Sequence, residues 1–233
     1  MASSSFFDVE QFRHEPARLA VAREVARPTC VLGSTQRPEL VDVTAVRQRN
    51  VELARRRGGG GAVYLGPGEQ LWVDVWVPRD DPLWVADVSA AAEWVGSWWM
   101  DALASAGQHD FEVHRGRSVP GDLGDLVCFA GRGPGEVFHG EAKVVGLSQW
   151  RAREGALFSS CAYLHWDPAP LLVLVNVEED ARVGLVRDLA PLAVGLADLE
   201  PPVLNLDQVQ RSLLGSLPDF EVTPPGGRGA PAL

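Results

Sequence analysis

Apolar positions along the chain fall into short runs with two distinct periods. Helical spacing covers residues 15–26, with Pro16 tolerated in a first turn and Arg27-Pro28 as the stop. The same spacing covers residues 40–53, and then 85–106, where Val85, Val88, Ala92, Val95, Trp99 and Leu103 form one stripe. It returns at 205–217 through Leu206, Val209 and Leu213, while 185–199 predicts a helix made irregular by Pro191. Runs of strand length occupy 29–33, 62–65, 71–77, 111–113, 157–166 and 171–177. No internal repeat is visible.

The most informative pattern is a hairpin. Residues 137–139 and 142–149 read as two strands joined at Gly140-Glu141, since glycine at the first central position suits a type II′ turn. Strand periodicity puts Lys143, Val145, Leu147 and Gln149 on one face, opposite Val144, Gly146, Ser148 and Trp150. Lys143 is the only lysine among 21 Lys and Arg residues. Arginine is the default cation of this chain, so the position reads as one that needs a compact ammonium; a chance surface lysine is the plainer reading. A cation among apolar neighbours is costly to bury without an anion, which predicts a pocket for an acidic group with an apolar tail.

A second stretch has four consecutive glycines, Gly58 to Gly61, after Arg55, Arg56 and Arg57. Backbone without Cβ atoms can approach a ligand closely, and its N–H groups can converge on a phosphate. A flexible hairpin loop fits the glycines equally well. Neither phosphate-loop signature for nucleotides is present, because strands rather than a helix follow.

Composition narrows the classes. A chain of 233 residues with 46% hydrophobic content and eight Trp predicts one main domain. A net charge of -10 argues against nucleic-acid or membrane-surface partners, with the cluster Arg47, Arg49, Arg55, Arg56 and Arg57 as a local exception or a solvated helix end. Cys30, Cys128 and Cys161 are odd in number and far apart, so they predict neither disulfides nor a metal site; Cys30 and Cys161 read as core, and a reducing cytoplasm fits best. Residues 1–7 lack a leader pattern, and no run reaches the roughly 18 apolar residues of a spanning helix. The Pro- and Gly-rich end predicts a disordered tail over 219–233.

Together, LARRRGGGGAVY at 53–64 and AKVVGLSQ at 142–149 resemble the lipoate-protein ligase and octanoyltransferase family, whose arginine–glycine motif RRxxGGGxV precedes a strand reading GxK[IV]xGxA. The resemblance spans residues 12–166, including TCVLGSTQ before the arginine motif. It implies an α+β fold, a mixed β-sheet with packed helices like the class II synthetase and biotin protein ligase catalytic domains, over residues 1–218. It also implies transfer of a lipoyl or octanoyl group to a lysine of a lipoyl-domain acceptor through an acyl-adenylate, using ATP with Mg. Arg56 would then hold the adenylate phosphate, and Gly59, Gly60, Gly61, Ala62, Val63, Tyr64 and Gly146 would line the nucleotide and acyl site. Lys143 would meet the carboxyl carbonyl and the phosphate. Two positions depart from the family pattern: Gly68-Glu69 stands for its Gly-Asn turn, and Glu154-Gly155 for its His-Gly pair.

A second resemblance competes. Cysteine-type octanoyltransferases carry Cys-Phe about 15 residues before the same lysine, where this chain has Cys128-Phe129, though they place an arginine where Gly61 stands. In that reading Cys128 is the nucleophile, no cofactor is needed, and acyl carrier protein is the donor. A noncatalytic acyl-binding relative is the third reading, suggested by Glu154. A separate accessory subunit is a further implied partner, since many family members fuse an accessory domain.

Overall fold

The computed structural model of the chain describes residues 9–203, 205–216 and 221–223. Its spine is a strand, Gln70–Pro78, buried at every position but the last. A strand apolar on both faces needs cover on both, and this requirement organises the rest. In chain order the strands are β1 (Leu19–Arg23), β2 (Thr29–Leu32), β3 (Glu52–Arg55), β4 (Val63–Leu65), β5 (Gln70–Pro78), β6 (Glu112–Val113), β7 (Val137–His139), β8 (Ala142–Arg151), β9 (Gly155–Tyr163) and β10 (Glu221–Thr223). The helices are α1 (Glu10–Arg13), α2 (Val43–Gln48), α3 (Val88–Ser105), α4 (Ala169–Leu172), α5 (Glu179–Leu189) and α6 (Leu206–Gly215).

Seven strands form one sheet in the order β10-β1-β5-β9-β8-β7-β6, antiparallel except where β1 meets β10. Three form a second sheet, β3-β2-β4, with β2 parallel to β3 and antiparallel to β4. The architecture is therefore α+β with mixed sheets, as expected. One side of β5 sends Val73, Val75 and Val77 into a core with α3 and α6. On the other, Trp72 joins β2, β4 and α4 in a second core.

Trp99 ties α3 to the sheet by donating from Nε1 to Ser160 Oγ at 2.9 Å, and Trp98 donates to Leu213 O of α6 at 2.8 Å. Asp74, a buried acid in mid-strand, is fully engaged: Trp72 Nε1 and Ser159 Oγ donate to Oδ1, and Arg23 Nε to Oδ2 at 2.9 Å. That saturation makes its burial tolerable.

The expected strands β2, β4, β5, β6, β7, β8 and β9 and the helices α3 and α6 are present. Gly140 has φ 57° while Glu141 keeps a negative φ, as a type II′ turn requires. Four expectations differ. The helix expected over 15–26 is strand β1, because five residues from Leu19 to Arg23 pair with β5 and split their side chains between two cores. Tertiary pairing outweighs the helix propensity of Ala and Arg. The strand expected over 171–177 is instead the short helix α4 and a turn, with Pro168 at its start and only Val175 bridging to Val41. Period alone cannot assign so short an apolar run.

The helix over 40–53 is confined to α2, capped by Asp42, whose side chain accepts from Thr44 N and Ala45 N, and followed by Asn50 at φ 52°. The irregular helix over 185–199 starts earlier, at Glu179, and gives way to 3-10 turns at Pro191. Within the predicted tail, residues 221–223 form β10 beside β1; residues 219–220 and 224–233 lie outside the described residues. No helix among the described residues is long and apolar enough to cross a membrane.

Candidate functional site

A cleft of about 380 Å³ opens between the glycine segment, the first turns of α3, the 118–134 loop and β8. That volume is in the range of small-molecule sites. Lys143, Leu147 and Gln149, three of the four residues expected to share a face of β8, line it together with Ser148.

Lys143 is 1% exposed. Its Nζ lies 2.7 Å from Glu136 Oε2 and donates to Cys128 O at 2.8 Å. The Phe129 and Phe138 rings stand 5.6 and 5.9 Å away, close enough to favour the cation. The sequence pattern called for an anion beside this lysine, and the chain itself supplies one. Glu136, 3% exposed, accepts from Gly133 N at 2.5 Å through Oε2 and from Leu147 N at 3.2 Å through Oε1. The β7–β8 pairing begins at Val137 opposite Val145, so Leu147 lies beyond its end and its N–H goes to the carboxylate instead. Burial pushes the Glu136 carboxyl above the usual range, opposed by the Lys143 charge and the two N–H groups.

Glu136 was not singled out in the sequence because it sits before β7, off the periodic face that marked Lys143. The signal was there as an acid set directly before an apolar strand, seven residues from the only lysine.

Cys128 opens a 3-10 turn, Cys128–Ala130, and is half-buried on the cleft wall. Arg56 Nη2 is 3.6 Å from its sulfur. The other two thiols lie in the core as expected, and burial pushes Cys30 up to about 12 and Cys161 higher still.

Arg56 stands behind the glycine segment. It is 4% exposed, and Nη2 donates to Gly59 O at 2.7 Å and Gly61 O at 2.8 Å. Its Nη1 has no partner among the described residues. The glycines are required by more than ligand approach. A Cβ on Gly61 would sit 2.5 to 2.6 Å from Val127 C, Cys128 N and Gly124 O, whereas one on Gly59 would meet nothing within 4 Å. Two backbone hydrogen bonds, Ala62 N to Leu126 O at 2.9 Å and Cys128 N to Ala62 O at 3.0 Å, sew the glycine segment to the cysteine turn.

The residues predicted for one site thus divide. Gly59, Gly60, Gly61, Cys128 and Lys143 share the cleft. Ala62, Val63 and Tyr64 line a separate small void with Phe129, Tyr163 and Trp166. Gly146 backs onto Phe129, whose ring would lie 3.1 Å from a Cβ there. Glu154, at the departure from the family pattern, faces Arg13 at 3.5 Å and is not on the cleft.

A buried lysine, a glycine segment and a thiol on one cleft, carried by this α+β fold, define a class, and comparison with known proteins agrees. Residues 9–217 match the lipoyl protein ligase A/B catalytic domain, and the chain belongs to that family. Its fold is similar to that of a chain from the structural analysis of an archaeal lipoylation system, a bipartite lipoate protein ligase and its E2 lipoyl domain from Thermoplasma acidophilum: TM-score 0.72, 19% identity, 94% of this chain and 80% of that one covered. It is also similar to protein Ta0514 of T. acidophilum, solved with bound lipoic acid (TM-score 0.68, 18% identity, 96% and 86% covered). A third similar structure is lipoate-protein ligase A bound with ATP (TM-score 0.63, 20% identity, 89% and 76% covered). No curated protein matches the sequence.

Proposed function

We propose that this protein, through a catalytic domain spanning residues 1–218, attaches a lipoyl or octanoyl group to a lysine of a lipoyl-domain acceptor in the cytoplasm, and that the acyl group passes through a thioester on Cys128. One observation carries the reading: the Cys128 thiol lies on the cleft wall while its own carbonyl holds the Lys143 ammonium at 2.8 Å. Thiol and cation are thereby fixed to one residue.

In the first half-reaction the Cys128 sulfur attacks the thioester carbonyl of octanoyl-carrier protein. The carrier thiol leaves with the proton that Cys128 gave up, and acyl-Cys128 remains. In the second, the neutral amine of the acceptor lysine attacks the same carbonyl, forming the amide and returning a proton to the Cys128 sulfur. Each attack puts negative charge on the carbonyl oxygen. An ammonium has three N–H donors, and Glu136 and the Cys128 carbonyl take two, so one is left for that oxygen.

The acyl-adenylate route is the second reading. Gly59, where a Cβ would meet nothing within 4 Å, favours it by leaving room for a phosphate on the cleft that Lys143 also lines. A related fold has been solved with ATP bound. On this route ATP with Mg would supply the activation of the free acid's carboxylate, and Lys143 and the bare backbone at Gly59 would hold the phosphate. Arg56 counts against it, because its Nη2 is committed to two glycine carbonyls and its Nη1 is buried.

The two routes separate in one assay. A lipoyl-domain acceptor is incubated with the protein and either octanoyl-carrier protein without ATP or free acid plus ATP and Mg, and is then weighed. Product from the carrier thioester supports the Cys128 route. Product only from free acid with ATP would replace it by the ligase route, and no product from either would reject both.

A further inference from the structure

The buried pair at the cleft has a member that the proposed reaction does not use. Glu136 touches Lys143 rather than the cleft's reacting centre, and three contacts fix it: Gly133 N at 2.5 Å, Leu147 N at 3.2 Å and Lys143 Nζ at 2.7 Å. Removing a charge from water is costly unless another charge answers it. Burial without an answering charge favours the neutral form of a lysine.

We propose that Glu136 is a positioning residue for acyl transfer: it keeps Lys143 protonated inside the cleft and, with the Cys128 carbonyl, orients the ammonium so that one N–H remains for the substrate oxygen. The proposal rests on Lys143 acting as the cation of the reaction set out above. Other groups that carry or can carry charge near Lys143 are few. From the 3-10 turn comes the Cys128 thiol, with Arg56 3.6 Å beyond it. Arg132 lies across Phe138, whose ring centroid is 4.3 Å from its guanidinium carbon and 5.9 Å from Nζ. Asp125 is the other acid on the cleft wall. Both arginines oppose a second positive charge, so the burden of holding the Lys143 proton falls on Glu136. Raised by burial and lowered by Lys143, the Glu136 carboxyl is itself tuned by the pair.

The single lysine makes the test specific. Protein labelled with ¹⁵N-lysine carries one labelled side-chain nitrogen, so its titration followed by NMR reads Lys143 alone, with or without activity. In Glu136→Gln the midpoint of that titration should lie below the wild-type one, the direction expected when the opposing charge 2.7 Å from a buried cation is removed. The alkaline limb of the acyl-transfer pH profile should fall with it, and kcat should drop about 100-fold with KM little changed. Glu136→Asp, which keeps a carboxylate one methylene shorter, should recover part of the rate.

An unmoved midpoint in a folded Glu136→Gln protein, or wild-type kcat with an unmoved alkaline limb, would overturn the proposal. If Glu136→Gln fails to fold, the same titration on Glu136→Met, which keeps the side-chain length and drops the charge, decides, a lowered midpoint supporting the role and an unchanged one rejecting it. If the wild type transfers nothing from either donor, the functional reading fails by itself, while the titration still reports whether Glu136 holds the proton.

Discussion

Adding one methyl group at Gly61 tests whether the glycine segment and the cysteine turn form one unit. The Cβ of Gly61→Ala would arrive 2.5 to 2.6 Å from three backbone atoms, Val127 C, Cys128 N and Gly124 O. Backbone cannot swing aside as a side chain can, so the two segments must separate. Overpacking of this kind costs about 1–3 kcal/mol, and separation also strains the hydrogen bonds from Ala62 N to Leu126 O and from Cys128 N to Ala62 O, each worth about 1 kcal/mol. A total of about 3–5 kcal/mol, if both bonds are lost, lowers Tm by roughly 9–15 °C at about 3 °C per kcal/mol for a chain of this size. Gly59→Ala is the control, since its Cβ meets nothing. Scanning calorimetry of both variants, beside acceptor acylation, reads the outcome. Gly61→Ala should lose stability and transfer together, while Gly59→Ala should keep its Tm and show any defect in the KM for the donor. Equal Tm values for Gly61→Ala and wild type would refute the packing account of the segment.

Arg56→Ala should destabilise the protein by about 2–4 kcal/mol, read as a lowered Tm, because the Gly59 and Gly61 carbonyls lose a charged donor; a residue that only bound ligand would leave Tm unmoved. Titration with a thiol reagent at pH 8 should find one reactive cysteine in the native protein and three after denaturation, since Cys30 and Cys161 are buried with pKa values raised by that burial and so carry no thiolate there. Two fast native thiols would contradict the burial. Lys143→Arg should keep the charge yet lose most acyl transfer, because the site is 1% exposed and bounded by Phe129, Phe138 and Glu136; near wild-type turnover would show that charge alone suffices.

The sequence made the cleft's cation legible because Lys143 stands out in an arginine-rich chain and its hairpin carries a glycine turn. Long or strictly periodic elements were equally clear, as α3 and β5 illustrate. What stayed hidden depends on contacts between distant segments. Strand β1 looks helical until β5 is beside it, since Ala and Arg favour a helix and only the pairing from Leu19 to Arg23 decides otherwise. The partner of Lys143 was expected to be a substrate group, because Glu136 lies outside the strand period and is brought in by the turn at Gly133 and the Leu147 N–H beyond the end of the β7–β8 pairing. Arg56 and the glycines read as one phosphate cradle along the chain. Folding places the guanidinium behind the loop, bonded to the loop's own carbonyls, a geometry that no spacing encodes.

Cys128 carries the central claim, and its acylation can be weighed directly. Protein incubated with octanoyl-carrier protein, without acceptor and without ATP, is analysed by intact mass before and after hydroxylamine. The account predicts one added octanoyl group on the wild type, removed by hydroxylamine, transferred to a lipoyl-domain lysine when acceptor is supplied, and absent from Cys128→Ser. A Cys128→Ser protein that still acylates the acceptor at the wild-type rate would contradict it.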